Sequence, residues 1–173
     1  MMINCASIVN RFEKNVDSFR SLLAVDSPEQ IQWRPTPEKW SIIEVVNHLY
    51  DEEREDFKCR LRLILENPNK VWPSIAPQQW VVERGYSKRN YEASVSSFLN
   101  ERKRSIKWLQ DLESPNWKAS YNHPQIGTMT AEMILVNWLA HDYLHIRQIV
   151  GLKYGYLAQN IKPISLDYAG RWS

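Results

Sequence analysis

The sequence predicts an all-α fold, a four-helix bundle with long structured loops, and three observations lead there. Four segments of about twenty residues carry apolar side chains at helical spacing. Glycine is scarce, five in 173 residues, and the prolines fall between the periodic segments rather than inside them. A chain of this length suits one domain with a substantial core, so a single domain over residues 1–173 is expected.

The first helix is expected from about Ile3 to Ala24, with Cys5, Ile8, Val9, Phe12, Val16, Phe19 and Leu23 on one stripe, and Ser27-Pro28 ends it. Gln30 to Trp40 holds two prolines and two tryptophans, a connector packed over one end of the bundle. Ser41 and Glu44 have capping-box spacing and open the second helix, expected to reach about Glu66. The stretch from Asn67 to Trp80 reads as a loop whose aromatics fold back onto the bundle. The third helix spans about Tyr91 to Leu112, with Val95, Phe98, Leu99, Arg102, Ile106 and Leu109 inward, and Ser114-Pro115 stops it. Within it, the basic cluster Glu101-Arg-Lys-Arg104 reads as a solvated face. A structured loop from Trp117 to Gly127 leads to a Thr130 cap and a fourth helix to about Leu152. From about residue 153 the tail, with Gly155, Pro163 and Gly170, is expected to be irregular or short helix. No repeat of 20 to 50 residues is visible.

A formal net charge of +2, with basic and acidic residues interleaved, gives no nucleic-acid footprint. No apolar run approaches the roughly 18 residues that span a bilayer, and the N-terminus lacks a secretion pattern, so a cytoplasmic protein with no membrane partner is expected. Cys5 and Cys59 lack CxxC spacing and read as reduced thiols.

The chemistry concentrates in the fourth helix. His141 and His145 stand four residues apart, hence on one helical face, where two imidazoles can reach one ion. A zinc-like site needs at least three protein ligands, and His48 in the second helix is the best further donor. On spacing alone this reading stands level with a plainer one, in which each histidine is a core or surface residue bonded to a carbonyl.

Three stretches break the tie. Trp40-Ser-Ile-Ile-Glu-Val-Val-Asn-His48-Leu, His123-Pro-Gln-Ile-Gly127-Thr-Met-Thr130 and His141-Asp-Tyr-Leu-His145-Ile-Arg-Gln148 together resemble the DinB/YfiT-like superfamily in order and spacing, over nearly the whole chain. The resemblance implies a four-helix bundle, commonly dimeric, with a divalent metal held by one histidine of the second helix and two of the fourth. Those positions are His48, His141 and His145. Related members include thiol-dependent S-transferases and a thiol-dependent isomerase. The function expected first is therefore a transferase in which the metal, zinc or nickel, activates a low-molecular-weight thiol for attack on a small electrophilic substrate. The alternatives are a non-catalytic metal-binding or stress-associated bundle and a metal-dependent hydrolase.

Glu44 and Glu52 lie one turn either side of His48, and Asn137 and Gln148 share the His141–His145 face, as candidates to orient ring nitrogens. Glu52 is the preferred general base. His123 precedes Pro124 and reads first as a turn residue. Asp142, about 100° round the helix from His141, points away from a shared site and suits a local salt bridge or cap contact. The fourth helix is apolar nearly all round: Ile134, Trp138, Leu144 and Ile149 surround the histidine face, and Leu135, Val136, Leu139, Ile146 and Val150 take the other side. Something must cover that second side, either a partner subunit or the long loops and the Tyr154 to Ser173 tail; a homodimer is expected, with this far side, including Val136 and Ile146, at or near its interface.

Overall fold

Each periodic segment folds as a helix, and the reasons are visible at the helix ends. The computed structural model describes residues 4–25 and 27–172, so Ile3, at the expected start of the first helix, lies outside the described residues. The order is α1 (Cys5–Leu22), α2 (Pro28–Gln32), α3 (Ile42–Glu52), a π-helical turn (Glu53–Phe57), α4 (Lys58–Glu66), α5 (Pro77–Glu83), α6 (Tyr91–Gln110), a hairpin of β1 (Ser120–His123) and β2 (Gly127–Thr130), and α7 (Ala131–Asn160). The side-chain oxygens of Asn4, Asn90 and Thr130 accept from the backbone N–H three residues on, capping α1, α6 and α7. The Glu44 carboxylate takes up both the N–H and the hydroxyl of Ser41 at 2.9 Å, the capping relation read from the sequence.

The bundle is built from α1, the long rod of α3, π-turn and α4, and the helices α6 and α7; α1 packs on α6 and α7, and α3 packs mainly on α6. Phe12, Phe19, Phe98 and Trp138 fill its centre, with Phe19 and Phe98 edge-on at 5.1 Å. Each such ring taken from water contributes on the order of 2–3 kcal/mol. Trp72 and Trp80 are buried, so the expected loop does fold back, although its last four residues open α5.

The π-turn has a physical reason in the apolar pattern. Leu49 and Leu61 are both buried, yet twelve residues on an unbroken α-helix leave two side chains about 120° out of phase. One extra residue in a turn brings them to within about 20° of each other. The consecutive acidic residues at the start of this turn, about 100° apart, face three ways. Asp51 meets Arg84 and the Tyr86 hydroxyl, Glu52 faces a cleft, and Glu53 faces the core.

At the centre lies Arg102, 1% exposed, and this corrects the solvated-face reading of the Glu101–Arg104 cluster. Lys103 and Arg104 are exposed, but Arg102 is turned inward. Its guanidinium donates through Nε and Nη2 to the two Glu53 carboxylate oxygens, both at 2.8 Å. It also donates through Nη1 and Nη2 to Asp142 at 2.6 and 2.7 Å. Asn15 Nδ2 adds a bond to Asp142 at 2.8 Å and Trp138 Nε1 one to Glu53 at 3.0 Å. Asp142 therefore does point away from the histidine face, but its partners are far apart in sequence, not local. A buried carboxylate needs a charged and hydrogen-bonded partner, and Arg102 supplies it.

The tail is the second correction. Helix α7 runs through Gly151 and Gly155 to Asn160, eight residues beyond the expected end at Leu152. A glycine inside a helix costs only about 1 kcal/mol, so packing decides. At Gly155 the Trp33 ring lies where a side chain would be: a Cβ there would sit 2.7 Å from the ring. Trp33 Nε1 bonds Gln159 Oε1 at 2.9 Å, and Trp172 stacks on Tyr154 at 4.8 Å. Both sides of α7 are covered within the chain: Leu135 and Leu139 are buried and Val136 and Ile146 pack on the core, while Leu144, expected beside the histidines, is 63% exposed. Among the described residues, no helix is long and apolar enough to cross a membrane.

Candidate metal centre

His48 projects from α3, and His141 and His145 from one face of α7, into a cleft of about 670 Å³. Ring centroids lie 5.4 Å apart for His48–His141, 4.8 Å for His48–His145 and 4.3 Å for His141–His145. One nitrogen from each ring lies within 4.8 Å of the other two, and His141 Nε2 faces His145 Nε2 at 3.0 Å. Two nitrogens about 2.0–2.1 Å from a tetrahedral ion would be about 3.3 Å apart, so the spacing suits a shared cation. His48 Nδ1 is buried with no hydrogen-bond partner among the described residues, a cost of about 1–3 kcal/mol unless that ring is otherwise engaged. The donor set therefore fits a divalent ion of imidazole preference.

Electrostatics point the same way. Burial pushes the His48 pKa down to about 3, with repulsion from His145 adding to it and Asp51 opposing. Burial, then the positive charges of His145 and His48, lowers His141, and burial lowers His145 against the pull of Gln148 and Asp142. All three are neutral at pH 7, with lone pairs available. Burial raises Glu52 to about 8, helped by the negative charge of Asp56 and opposed by Arg60. Glu52 Oε2 lies 3.5 Å from His141 Nε2. The site wall is aromatic: Trp40 packs on His48 at 4.8 Å and Phe57 on His141 at 4.9 Å. Glu38, Lys39, Pro77, Gln78 and Gln148 complete the rim.

The structure thus brings together His48, His141, His145, Glu52 and Gln148. Gln148 Oε1 bonds His145 Nδ1 at 2.8 Å, the ring-orienting role foreseen for it. Glu44 is engaged by Ser41 and Arg34 at the start of α3, and Asn137 bonds the carbonyl of Met133. His123 lies in the hairpin, where Nδ1 accepts from the N–H groups of Gln125 and Ile126 and the ring meets Trp72. Phe57 and Asp56 were not singled out from the sequence. Asp56 stands four residues beyond Glu52, and that spacing was its available signal.

Comparison with known proteins agrees with this picture. Over 149 residues the chain is 23% identical to a protein of Oceanobacillus iheyensis named "Putative metal-dependent hydrolase", covering 84% of this chain and 86% of that one. The fold matches a solved structure with a TM-score of 0.78 at 18% identity, over 88% of this chain and 89% of the other. That structure is YfiT from Bacillus subtilis, described as "a probable metal-dependent hydrolase with an unusual four-helix bundle topology". A family model described as the DinB superfamily matches residues 11–149, and the chain belongs to that superfamily.

Proposed function

We propose that this chain is a metal-dependent enzyme acting on a small molecule, with hydrolysis as its reaction. The observation that carries the reading is the convergence of three neutral imidazoles with a buried carboxylate 3.5 Å from one of them. When bound, a divalent cation at His48, His141 and His145 supplies the positive charge that acidifies a water or thiol and polarises a substrate oxygen. Glu52 takes the proton of the nucleophile at Oε2 and returns it to the leaving group. Its pKa of about 8 belongs to the metal-free site; a cation nearby favours the carboxylate and brings it down into the base range. Trp40 and Phe57 keep bulk water from the histidines, and Lys39 and Gln78 offer polar contacts to a substrate at the rim.

Hydrolysis is placed first because of the names borne by the two relatives. The thiol transfer expected from the sequence is the second reading, with the same base. Neither Cys5 nor Cys59 lines the cleft, so the thiol would be a co-substrate. One experiment tests both: protein loaded with zinc or nickel is offered esters, amides and phosphate esters in one series, and alkylating electrophiles with small thiols in another. Turnover in the first series that is lost in His48→Ala and Glu52→Gln supports the hydrolase, and turnover only with added thiol supports the transferase. No turnover above His48→Ala in either series overturns both and leaves the non-catalytic metal-binding protein. A homodimer stays part of this proposal, with Met133, Tyr143 and Leu144, three of the exposed apolar side chains along α7, as the contact in place of Val136 and Ile146.

A further inference from the structure

The two halves of the metal centre sit on different helices. His48 and Glu52 belong to α3, which packs mainly on α6, and His141 and His145 belong to α7, which packs on α1 and on the rod that continues α3. A site that must hold ligand atoms within tenths of an ångström needs a directional tie beside apolar packing. The tie is Arg102 of α6. Its guanidinium holds Glu53, the residue directly after Glu52, and Asp142, the residue directly after His141. One planar group with four bonds thus joins the backbone of one half of the site to the backbone of the other.

The neighbours of this tie reach the site from the same side. Trp138 donates to Glu53 and stacks on Phe57 at 6.0 Å with planes 7° apart, and Phe57 in turn packs on His141 at 4.9 Å. Asn15 fixes the remaining side of Asp142 from α1. Glu53, Arg102, Asp142 and Trp138 are each at most 1% exposed, so water does not compete for these bonds. Arginine is required because a lysine cannot present two parallel N–H pairs to two carboxylates.

We propose that Arg102 is a positioning residue for the metal centre, setting the distance between the His48–Glu52 half and the His141–His145 half through Glu53 and Asp142. The proposal rests on the metal reading of the three histidines. Its specific content is that loosening this network weakens and reshapes metal binding in protein that is still folded, which a merely structural ion pair would not do.

The test uses Co²⁺, whose visible absorption reports the arrangement of its ligands, on the full chain. Arg102→Met, Asp142→Asn and Trp138→Phe are compared with Leu109→Ala, a core change on α6 outside the network. Circular dichroism and melting establish which variants are folded. The expected result is an affinity about tenfold lower or worse for Arg102→Met and Asp142→Asn, with a shifted spectrum. Trp138→Phe, which loses the bond to Glu53 and part of the packing on Phe12 and Phe57 but keeps an aromatic ring, should show the same change to a smaller degree. Leu109→Ala should lower the melting temperature and leave affinity and spectrum as in wild type. If Arg102→Met fails to fold, Trp138→Phe and Asn15→Leu decide. Folded network variants that bind Co²⁺ as wild type does overturn the positioning role alone. A wild-type chain that binds no Co²⁺ overturns the metal reading, and this proposal with it.

Discussion

Gln148 Oε1 lies 2.8 Å from His145 Nδ1 on the same face of α7, a contact that favours one tautomer of His145. The amide oxygen can only accept, so Nδ1 carries the proton and Nε2 keeps its lone pair, directed at His141 Nε2 3.0 Å away. Gln148→Leu should therefore weaken zinc or nickel binding by about 10- to 100-fold without unfolding the bundle. His141→Ala and His145→Ala should abolish stoichiometric binding. Isothermal titration on each variant gives the answer; Gln148→Leu with wild-type affinity would show that the tautomer is set elsewhere.

Burial alters the pH at which protons displace the metal. Free imidazoles would begin to compete near pH 6.5. In the folded protein His48 is pushed down to about 3, and His141 and His145 are lowered too. The imidazoles alone should therefore leave metal affinity unchanged between pH 7.5 and 5.5. Glu52, raised to about 8 without the cation and lowered by it, gives up a proton as the metal binds, so affinity should fall by up to about tenfold per pH unit across that interval. Competition with a chelator of known affinity should show this decline in the wild type and its loss in Glu52→Gln; a decline that persists in the variant would show that the rings are more hydrated than the fold implies.

Glu52 makes the opposite contribution. Its pKa rises from 4.5 to about 8 on folding, so between those values the folded state binds a proton that the unfolded state has lost. Stability must then fall with rising pH across that window, by up to about 1.4 kcal/mol per pH unit. Below about pH 6.5 the histidines act in the other sense and mask it, which leaves pH 6.5 to 8 as the range where Glu52 shows. Urea midpoints of chelated protein should drop across that range, and Glu52→Gln should flatten the curve. An equal slope in the variant would assign the effect to another group.

At Gly155 propensity and packing disagree. Alanine favours a helix interior by about 1 kcal/mol, but its Cβ would meet the Trp33 ring at 2.7 Å, and that ring is tethered to Gln159. Gly155→Ala should lose about 1–3 kcal/mol net through overpacking. A melting temperature that rises instead would mean that Trp33 swings aside at little cost.

Assembly can be read directly. Light scattering should give twice the 20.5 kDa chain mass, and Leu144→Asp should shift the protein toward monomer. A wild-type chain that stays monomeric at high micromolar concentration rejects the dimer.

Much of this was legible in the sequence because the relevant signals are local. Capping at Ser41 and Thr130, the stripes of α1 and α6, and the four-residue spacing of His141 and His145 each depend on one turn of helix. His48 was named as the further donor from the need for a third ligand, but the resemblance was needed to raise that reading above the plainer one, since no local rule says which helices touch. The partners of Asp142 were hidden for the same reason: Asn15 and Arg102 lie 127 and 40 residues away. Arg102 was placed on an inner stripe by periodicity and on the surface by charge, and periodicity was the better guide because two carboxylates were waiting inside. The length of α7 was missed because glycine reads as a stop until the Trp33 ring that occupies its empty side is known.

The π-turn carries one residue more than an α-helix of the same length would hold. With it, the twelve residues from Leu49 to Leu61 reach the phase that eleven give on an unbroken helix. Deleting one residue between Glu53 and Phe57 should therefore restore a regular helix and leave Leu61 and Ile64 in the core. What such a deletion disturbs is the turn itself, where Glu53 holds Arg102 and Phe57 packs on His141. Related chains can accordingly lack this residue and keep the core of α4, but they then give up this way of presenting Glu53 and Phe57.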